Sequence, residues 1–333
     1  MHILVVNDDG PPSQHSSPYV HSLIRTLQSH NHTVSVVLPN TQRSWIGKAH
    51  MVGQTVKPSY FLPGELSTAH DTGTVSHAPQ PPHSDREEWL LVDSTPASCV
   101  QIGLHHYFDS RGPIDLVVSG PNYGRNTTAA FALSSGTLGG ALEAAICGVR
   151  AIALSYAFSE RVHHAEVIAE AAELGVRLIE HLTGEGRWGE GVQLYSINVP
   201  VQKGIGERKV YWTKMLQNQW KGSQFREEMV PVEEDEGAEE GEERIREGEL
   251  WRGEGKREQS KVEKNGEAAG PEKHVRYVHK HFTWSPNFQG VYETVEKGGP
   301  GSDGWVVKEG FTSVTPIKAN FWHVDGFEGE LKF

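Results

Sequence analysis

Cysteine is nearly absent, with Cys99 and Cys147 the two in a chain of 333 residues. So few thiols imply no disulfide framework and fit a reduced, cytoplasmic setting. Long apolar runs are missing too. Nothing approaches the ~18 consecutive apolar residues that a membrane helix needs, and MHILVV reads as a strand rather than a signal-peptide core. Positive charge is scarce: 31 Lys and Arg face 43 Asp and Glu, a formal net charge of −12. That balance supplies no broad basic face for a nucleic-acid duplex. Histidine is plentiful but lacks metal-ligand spacing. The adjacent pairs His105–His106 and His163–His164 would point to different faces of a helix, so they read as surface residues.

The acidity is concentrated. Residues 231–270 hold 14 acidic and seven basic side chains, a net of −7, which leaves −5 for the rest. So few apolar groups cannot offset the entropy of ordering the backbone. The segment is expected to be a disordered insertion at about 228–272. The remaining composition is that of a globular protein.

Order is legible on either side of that insertion. Ile3–Val6 is a β-branched apolar run of the kind buried on both faces of a sheet. Ser17 and Pro18 form a cap-and-proline start for a helix, with Val20, Leu23, Ile24 and Leu27 as its apolar stripe. TVSVVLP is a second strand, and IDLVVSG a third. Thr137–Cys147 reads as a helix ended by Gly148. AIALS, a helix over 165–182 and LYSINV complete an alternation that predicts a doubly wound α/β fold with a mostly parallel sheet. The expected organisation is a catalytic core over 1–200 and C-terminal β-hairpin extensions over 201–333 that complete the same domain.

The first strand stops on Asn7, Asp8, Asp9 and Gly10. Two adjacent carboxylates repel, and burying either is costly without compensation. NDDG is therefore either a solvated turn or a pair that holds a cation at the carboxyl edge of the sheet, where open α/β folds bind ligands. The second strand leads to Arg43 and Ser44, and the third to Ser119, Gly120, Asn122 and Asn126. Carboxylates, a hydroxyl and an amide form a hard oxygen set suited to Mg²⁺ or Mn²⁺ and poor for zinc. LSSGT places Ser134, Ser135, Gly136 and Thr137 at a helix start, either an ordinary cap or a phosphate cradle. A receiver domain also gathers acids after its first strand, but no aspartate lies between Asp9 and Asp71 to accept phosphate. A haloacid-dehalogenase-type phosphatase wants Asp-x-Asp, whereas these acids are adjacent.

NDDG, the later RS, STPASCV, DLVVSGPNYGRN, SSGT, INVP and EGFTSVTP, in this order, resemble the SurE family of metal-dependent 5′/3′-nucleotidases, with an acid-phosphatase-like branch. The likeness spans about residues 1–200 and 300–317 and implies a Rossmann-like core with an oligomer built through the C-terminal extension. It implies metal ligation by Asp8, Asp9, Ser44 and Asn122, with Asp8 and Asp9 catalytic. It also implies phosphate contacts from Asn126, Ser135, Gly136 and Thr137. PPSQHSS and SWIGKAH depart from the family pattern beside the expected pocket, where Lys48 and Arg125 would add charge toward an anionic substrate.

The expected function is hydrolysis of nucleoside monophosphates by metal-activated water, in a homo-oligomer of two or four copies. No membrane or duplex partner is expected. The alternative is a catalytically silent nucleotide- or metal-binding protein on the same fold.

Overall fold

The computed structural model describes residues 1–66, 71–81, 84–158, 164–230 and 279–321, with Asp325, Gly329 and Glu330. Among these, the strands in chain order are β1 (His2–Val6), β2 (Thr33–Pro39), β3 (Pro58–Leu66), β4 (Asp71–Ser76), β5 (Trp89–Val92) and β6 (Leu116–Tyr123). They continue as β7 (Ala151–Ala157), β8 (Leu194–Pro200), β9 (Val210–Trp212), β10 (Phe225–Val230), β11 (His279–Trp284) and β12 (Thr312–Ile317). The helices are α1 (Val20–Ser29), α2 (Pro96–Ile102), α3 (Ala129–Ser134), α4 (Gly136–Ile146), α5 (Ala165–Thr183), α6 (Gln289–Gly298) and α7 (Asp303–Lys308).

Ten strands form one sheet in the order β4-β3-β5-β2-β1-β6-β7-β8-β12-β9. The run from β5 through β8 is parallel, while β3 and β12 close on it antiparallel. From β1 the chain crosses to β2 on one side, and β6 lies on the other. The strand order therefore reverses between β1 and β6, the switch point at which such sheets open a crevice for ligands.

β1 is buried along its whole length, which is why its apolar run does not alternate. Ile3 and Val5 pack with Leu23, Ile24 and Leu27 of α1 and with Val176 and Ile179 of α5. Leu4 and Val6 enter the opposite layer with Cys99 and Val100 of α2 and Ala141 and Ala144 of α4. An α/β sheet clothed by helices on both faces results. Small residues on α4 let it approach closely: a Cβ on Gly140 would lie 2.6 Å from Ser119 Oγ. Burial pushes the Cys99 thiol well above its usual range, as befits an inert core residue.

Two local expectations are corrected. Ser17 does not cap α1, which starts at Val20 after Tyr19 with no side-chain cap. The Ser17 hydroxyl instead donates to the Gly10 carbonyl at 3.0 Å and accepts from Asn7 Nδ2 at 3.3 Å. The loop after β1 has taken the polar group that helix chemistry offered to α1. Beyond residue 200, β9 and β12 join the main sheet, and two helices stand among what reads as β-like pieces. GWVVK is helical because Ser302 Oγ accepts from Trp305 N–H at the start of α7. Of the disordered insertion expected at about 228–272, residues 228–230 instead belong to strand β10, and 231–272 lie outside the described residues. Its flanks β10 and β11 pair antiparallel, with Phe225 opposite Trp284. No helix among the described residues is long and apolar enough to cross a membrane.

His30, just past α1, joins α1 to α5 through Glu173 and Glu180, each at 3.2 Å. Burial pulls the imidazole down, but hydrogen bonds and charge from both glutamates outweigh it and raise its pKa above the ordinary 6.5. Protonation is thus favoured by folding, so the link stabilises below the ordinary value and is lost as pH rises through the raised one. NMR titration of His30 is expected to show that raised value. The stability difference between wild type and His30→Ala, under about 1 kcal/mol for pairs this exposed, should vanish at alkaline pH.

Candidate active site

The loop after β1 is built around its own polar groups. Asn7 Nδ2 donates to the Gly10 carbonyl at 2.9 Å, and Gly10 N–H returns to Asn7 Oδ1 at 3.0 Å. Gly10 closes the turn at φ +84°, a left-handed conformation that glycine adopts without strain. This knot turns Asp8 and Asp9 inward, where they are 2% and 1% exposed. The solvated-turn reading of NDDG is therefore excluded.

Chain segments from three other loops meet the pair. Arg43 N–H donates to the Asp8 carbonyl at 2.6 Å, which brings the Ser44 loop alongside. Tyr123 N–H donates to Asp9 Oδ2 at 2.6 Å, which brings in the end of β6 and its Asn122. Thr137, in the first turn of α4, donates its hydroxyl to Asp8 Oδ1 at 2.7 Å and its N–H to Oδ2 at 3.2 Å. The fit is tight. A Cβ on Gly136 would lie 2.7 Å from Asp8 Cβ and 2.9 Å from its Oδ2.

The residues expected at the site divide by what they do. Asp8, Asp9, Gly136 and Thr137 are in one contact group. Ser44 accepts from Gln42 Nε2 at 3.0 Å, and Asn122 Nδ2 donates to the Gly124 carbonyl at 2.8 Å, so each is oriented by its own loop. Asn126 donates to Ser155 Oγ at 2.9 Å, and its N–H meets Asn198 Oδ1 at 2.8 Å. Ser135 caps α4 by accepting from Leu138 N–H at 3.1 Å. Lys48 does not extend charge toward the site: it pairs with Glu143 at 2.6 Å. Burial pushes the Glu143 carboxyl up, but hydrogen bonds from Gln101 and Lys48 outweigh it and hold the group below its ordinary value. That pair ties the Ser44 loop to α4, where the Gly47 carbonyl would sit 2.3 Å from a Cβ on Gly139.

Asn198 and Ser155 were not singled out from sequence. The available signal was an asparagine inside the buried strand INVP, where an amide needs a partner. Asn198 Nδ2 and Thr127 Oγ1 are buried with no hydrogen-bond partner among the described residues. Two left-handed non-glycine residues adjoin the site: Trp45 at φ +62° follows Ser44, and Thr128 at φ +72° lies two beyond Asn126. Such a conformation costs about 1–3 kcal/mol and persists where the surroundings over-determine it. Aromatic contacts, about 0.5–1.5 kcal/mol each, are large enough to hold the Trp45 turn.

The donors suit a hard cation. Two buried carboxylates, with a hydroxyl and an amide on the adjoining loops, are the ligand chemistry of Mg²⁺ or Mn²⁺. Among the described residues no group of three or more His, Cys, Asp and Glu is placed to hold a metal ion.

The chain matches a known family. The profile described as survival protein SurE matches residues 3–222. The chain belongs to the SurE family. It is 36% identical over 242 residues to a Saccharomyces cerevisiae protein named probable tubulin–tyrosine ligase PBY1, covering 66% of this chain and 31% of that one. It is 32% identical over 186 residues to the 5′-nucleotidase SurE of Pelobacter propionicus, covering 56% and 61%. With the 5′-nucleotidase SurE of Methanocella arvoryzae the identity is 32% over 203 residues, covering 60% and 66%. The chain thus spans less than two thirds of the length of these curated relatives. Among solved structures, the SurE protein from Aquifex aeolicus matches with a TM-score of 0.57 at 21% identity, covering 97% of this chain and 95% of that one. That likeness is one of fold.

Gly136→Ala tests the packing of this site directly. The added methyl meets Asp8 at its Cβ, which has no freedom to swing away. The variant is expected to lose about 1–3 kcal/mol of stability, the usual cost of overpacking. Chemical denaturation measures it, and an unchanged midpoint would show that Asp8 is not held against α4.

Proposed function

We propose that this SurE-family chain is a divalent-cation-dependent phosphomonoesterase acting on nucleoside monophosphates. The observation that carries the reading is the pair of buried, adjacent carboxylates at the switch point of the sheet. In this reading Asp8, Asp9, Ser44 and Asn122 hold Mg²⁺ or Mn²⁺. Such an ion, when bound, polarises a phosphoryl oxygen and acidifies a coordinated water. The chain's own groups do the rest. Thr137 fixes the plane of the Asp8 carboxylate through both its oxygens. Tyr123 N–H anchors one oxygen of Asp9, Oδ2. One of these carboxylates accepts the proton of the attacking water.

Asn126, Ser135, Gly136 and Thr137 contribute the phosphate side. The backbone N–H groups of Asn126, Thr137 and Leu138 are given to Asn198, Asp8 and Ser135, so the donors in this reading are the Asn126 side-chain amide and the Gly136 N–H, and the positive end of α4 favours an anion there. The unpartnered Asn198 Nδ2, on the residue that receives Asn126 N–H, is a further donor that a phosphate would satisfy. In this reading Ser44 serves as a ligand and not as a nucleophile: its hydroxyl accepts from Gln42 Nε2, and among the described residues no histidine hydrogen-bonds to it. The names of the prokaryotic relatives support nucleotidase chemistry. The ligase name belongs to a protein of which this chain spans 31%, so it carries no weight here. The same reading has the protein working in the cytoplasm as a homo-oligomer of two or four copies.

Purified protein with Mn²⁺ or Mg²⁺ and a panel of nucleoside monophosphates is the test. Phosphate release should depend on the cation and fall by at least about 100-fold in Asp8→Asn and Asp9→Asn, with circular dichroism unchanged and calorimetric metal binding lost. Wild-type protein that binds metal and nucleotide without turnover would instead be the silent binding protein.

A further inference from the structure

The site loops are not held by the sheet alone. Trp45 lies between two backbone anchors of its loop, Arg43 N–H to the Asp8 carbonyl at 2.6 Å and Gly47 N–H to the Ser134 carbonyl at 2.9 Å. Its indole stacks on Phe288 at 5.9 Å and meets Trp284 edge-on at 5.7 Å. Phe131 lies at 5.7 Å and Trp220 at 6.1 Å. Phe288 and Trp284 lie beyond the SurE segment 3–222, at the start of α6 and the end of β11. Arg125, the neighbour of Asn126, places its guanidinium over Phe131 at 5.7 Å and over Tyr292 of α6 at 5.1 Å.

The second left-handed residue has the same kind of support. Thr128 N–H donates to Asp303 Oδ2 at 2.9 Å, and its hydroxyl accepts from Asn218 Nδ2 at 3.1 Å. Asp303, 1% exposed, also accepts from Leu216 N–H at 2.9 Å. Each left-handed residue beside the site therefore has a partner side chain from beyond residue 222: Phe288 and Trp284 for Trp45, and Asp303 for Thr128. Left-handed backbone at a bulky or β-branched residue does not persist by local preference.

We propose that the C-terminal aromatic cluster is a positioning device for the active site: Phe288 and Trp284 grip Trp45 and so set the Ser44 loop against Asp8. Phe288 and Trp284 are positioning residues and touch neither cation nor substrate. The consequence for catalysis rests on the proposed nucleotidase reading, whereas the grip itself does not.

Phe288→Ala removes the stacked face, and Phe288→Tyr restores it. Amide hydrogen exchange read by NMR in the full chain, without metal or nucleotide, is the first measurement. In Phe288→Ala, exchange at Arg43 and Gly47 should accelerate by about tenfold or more while the β1 amides stay protected. Phe288→Tyr should return both to wild-type protection. With Mn²⁺ and a nucleoside monophosphate, the half-saturating Mn²⁺ concentration should rise in Phe288→Ala more than kcat falls at saturating metal. Unchanged protection at Arg43 and Gly47 in a folded Phe288→Ala would overturn the positioning role. If that variant does not fold, Phe288→Leu, which keeps most of the volume and loses the stack, decides it on the same readout. Wild-type protein that releases no phosphate would overturn the nucleotidase reading alone, because the exchange result needs neither metal nor substrate.

Discussion

Everything around the site is arranged to keep two negative charges together out of water. Asp8 and Asp9 are adjacent in the chain and almost fully buried, a placement that isolated carboxylates would not tolerate. Their cost is met partly by donors to the carboxylates from two separate chain segments, the β6 end and the start of α4. These donors are neutral N–H and O–H groups that fix the orientation of the carboxylates. Such orientation is what the proposed cation site would require.

That requirement explains several features of the fold at once. Glycine at 136 lets α4 begin directly against Asp8, and glycine at 139 lets the Ser44 loop lie flush on the same helix. The buried Glu143 and its partner Lys48 close that contact further along α4. The switch point between β1 and β6 is where a parallel sheet can bring loop ends together without crossing them. Side chains from beyond residue 222 reach the two left-handed residues beside the resulting crevice.

Regular elements were legible to the extent that one residue run sufficed to specify them. TVSVVLP forms β2 over the very residues of its apolar run, and the SSGT cap starts α4 where a hydroxyl would be expected to start it. Ser17 misled because two uses competed for one hydroxyl, and the site loop won. The C-terminal helices were hidden for a related reason. GWVVK has β-branched residues that suit a strand, and a single cap at Ser302 tips it to helix once α7 packs beneath β12. β3–β5 fill a stretch without a clear apolar period; β4 is the edge strand of the sheet and β3 its neighbour.

The sequence by itself determined the alternation of strands and helices, the acidic pair after the first strand, and the small and hydroxyl residues that start α4. These are local matters of periodicity, turn chemistry and charge, readable within about ten residues. Only the tertiary structure decided that Thr137 serves Asp8, that Lys48 turns away to Glu143, and that Trp45 is held by Phe288. Those pairings join residues up to 243 positions apart in the chain. No local preference encodes them; they arise when the sheet closes and each buried polar or aromatic group must find whatever partner the packing brings within reach.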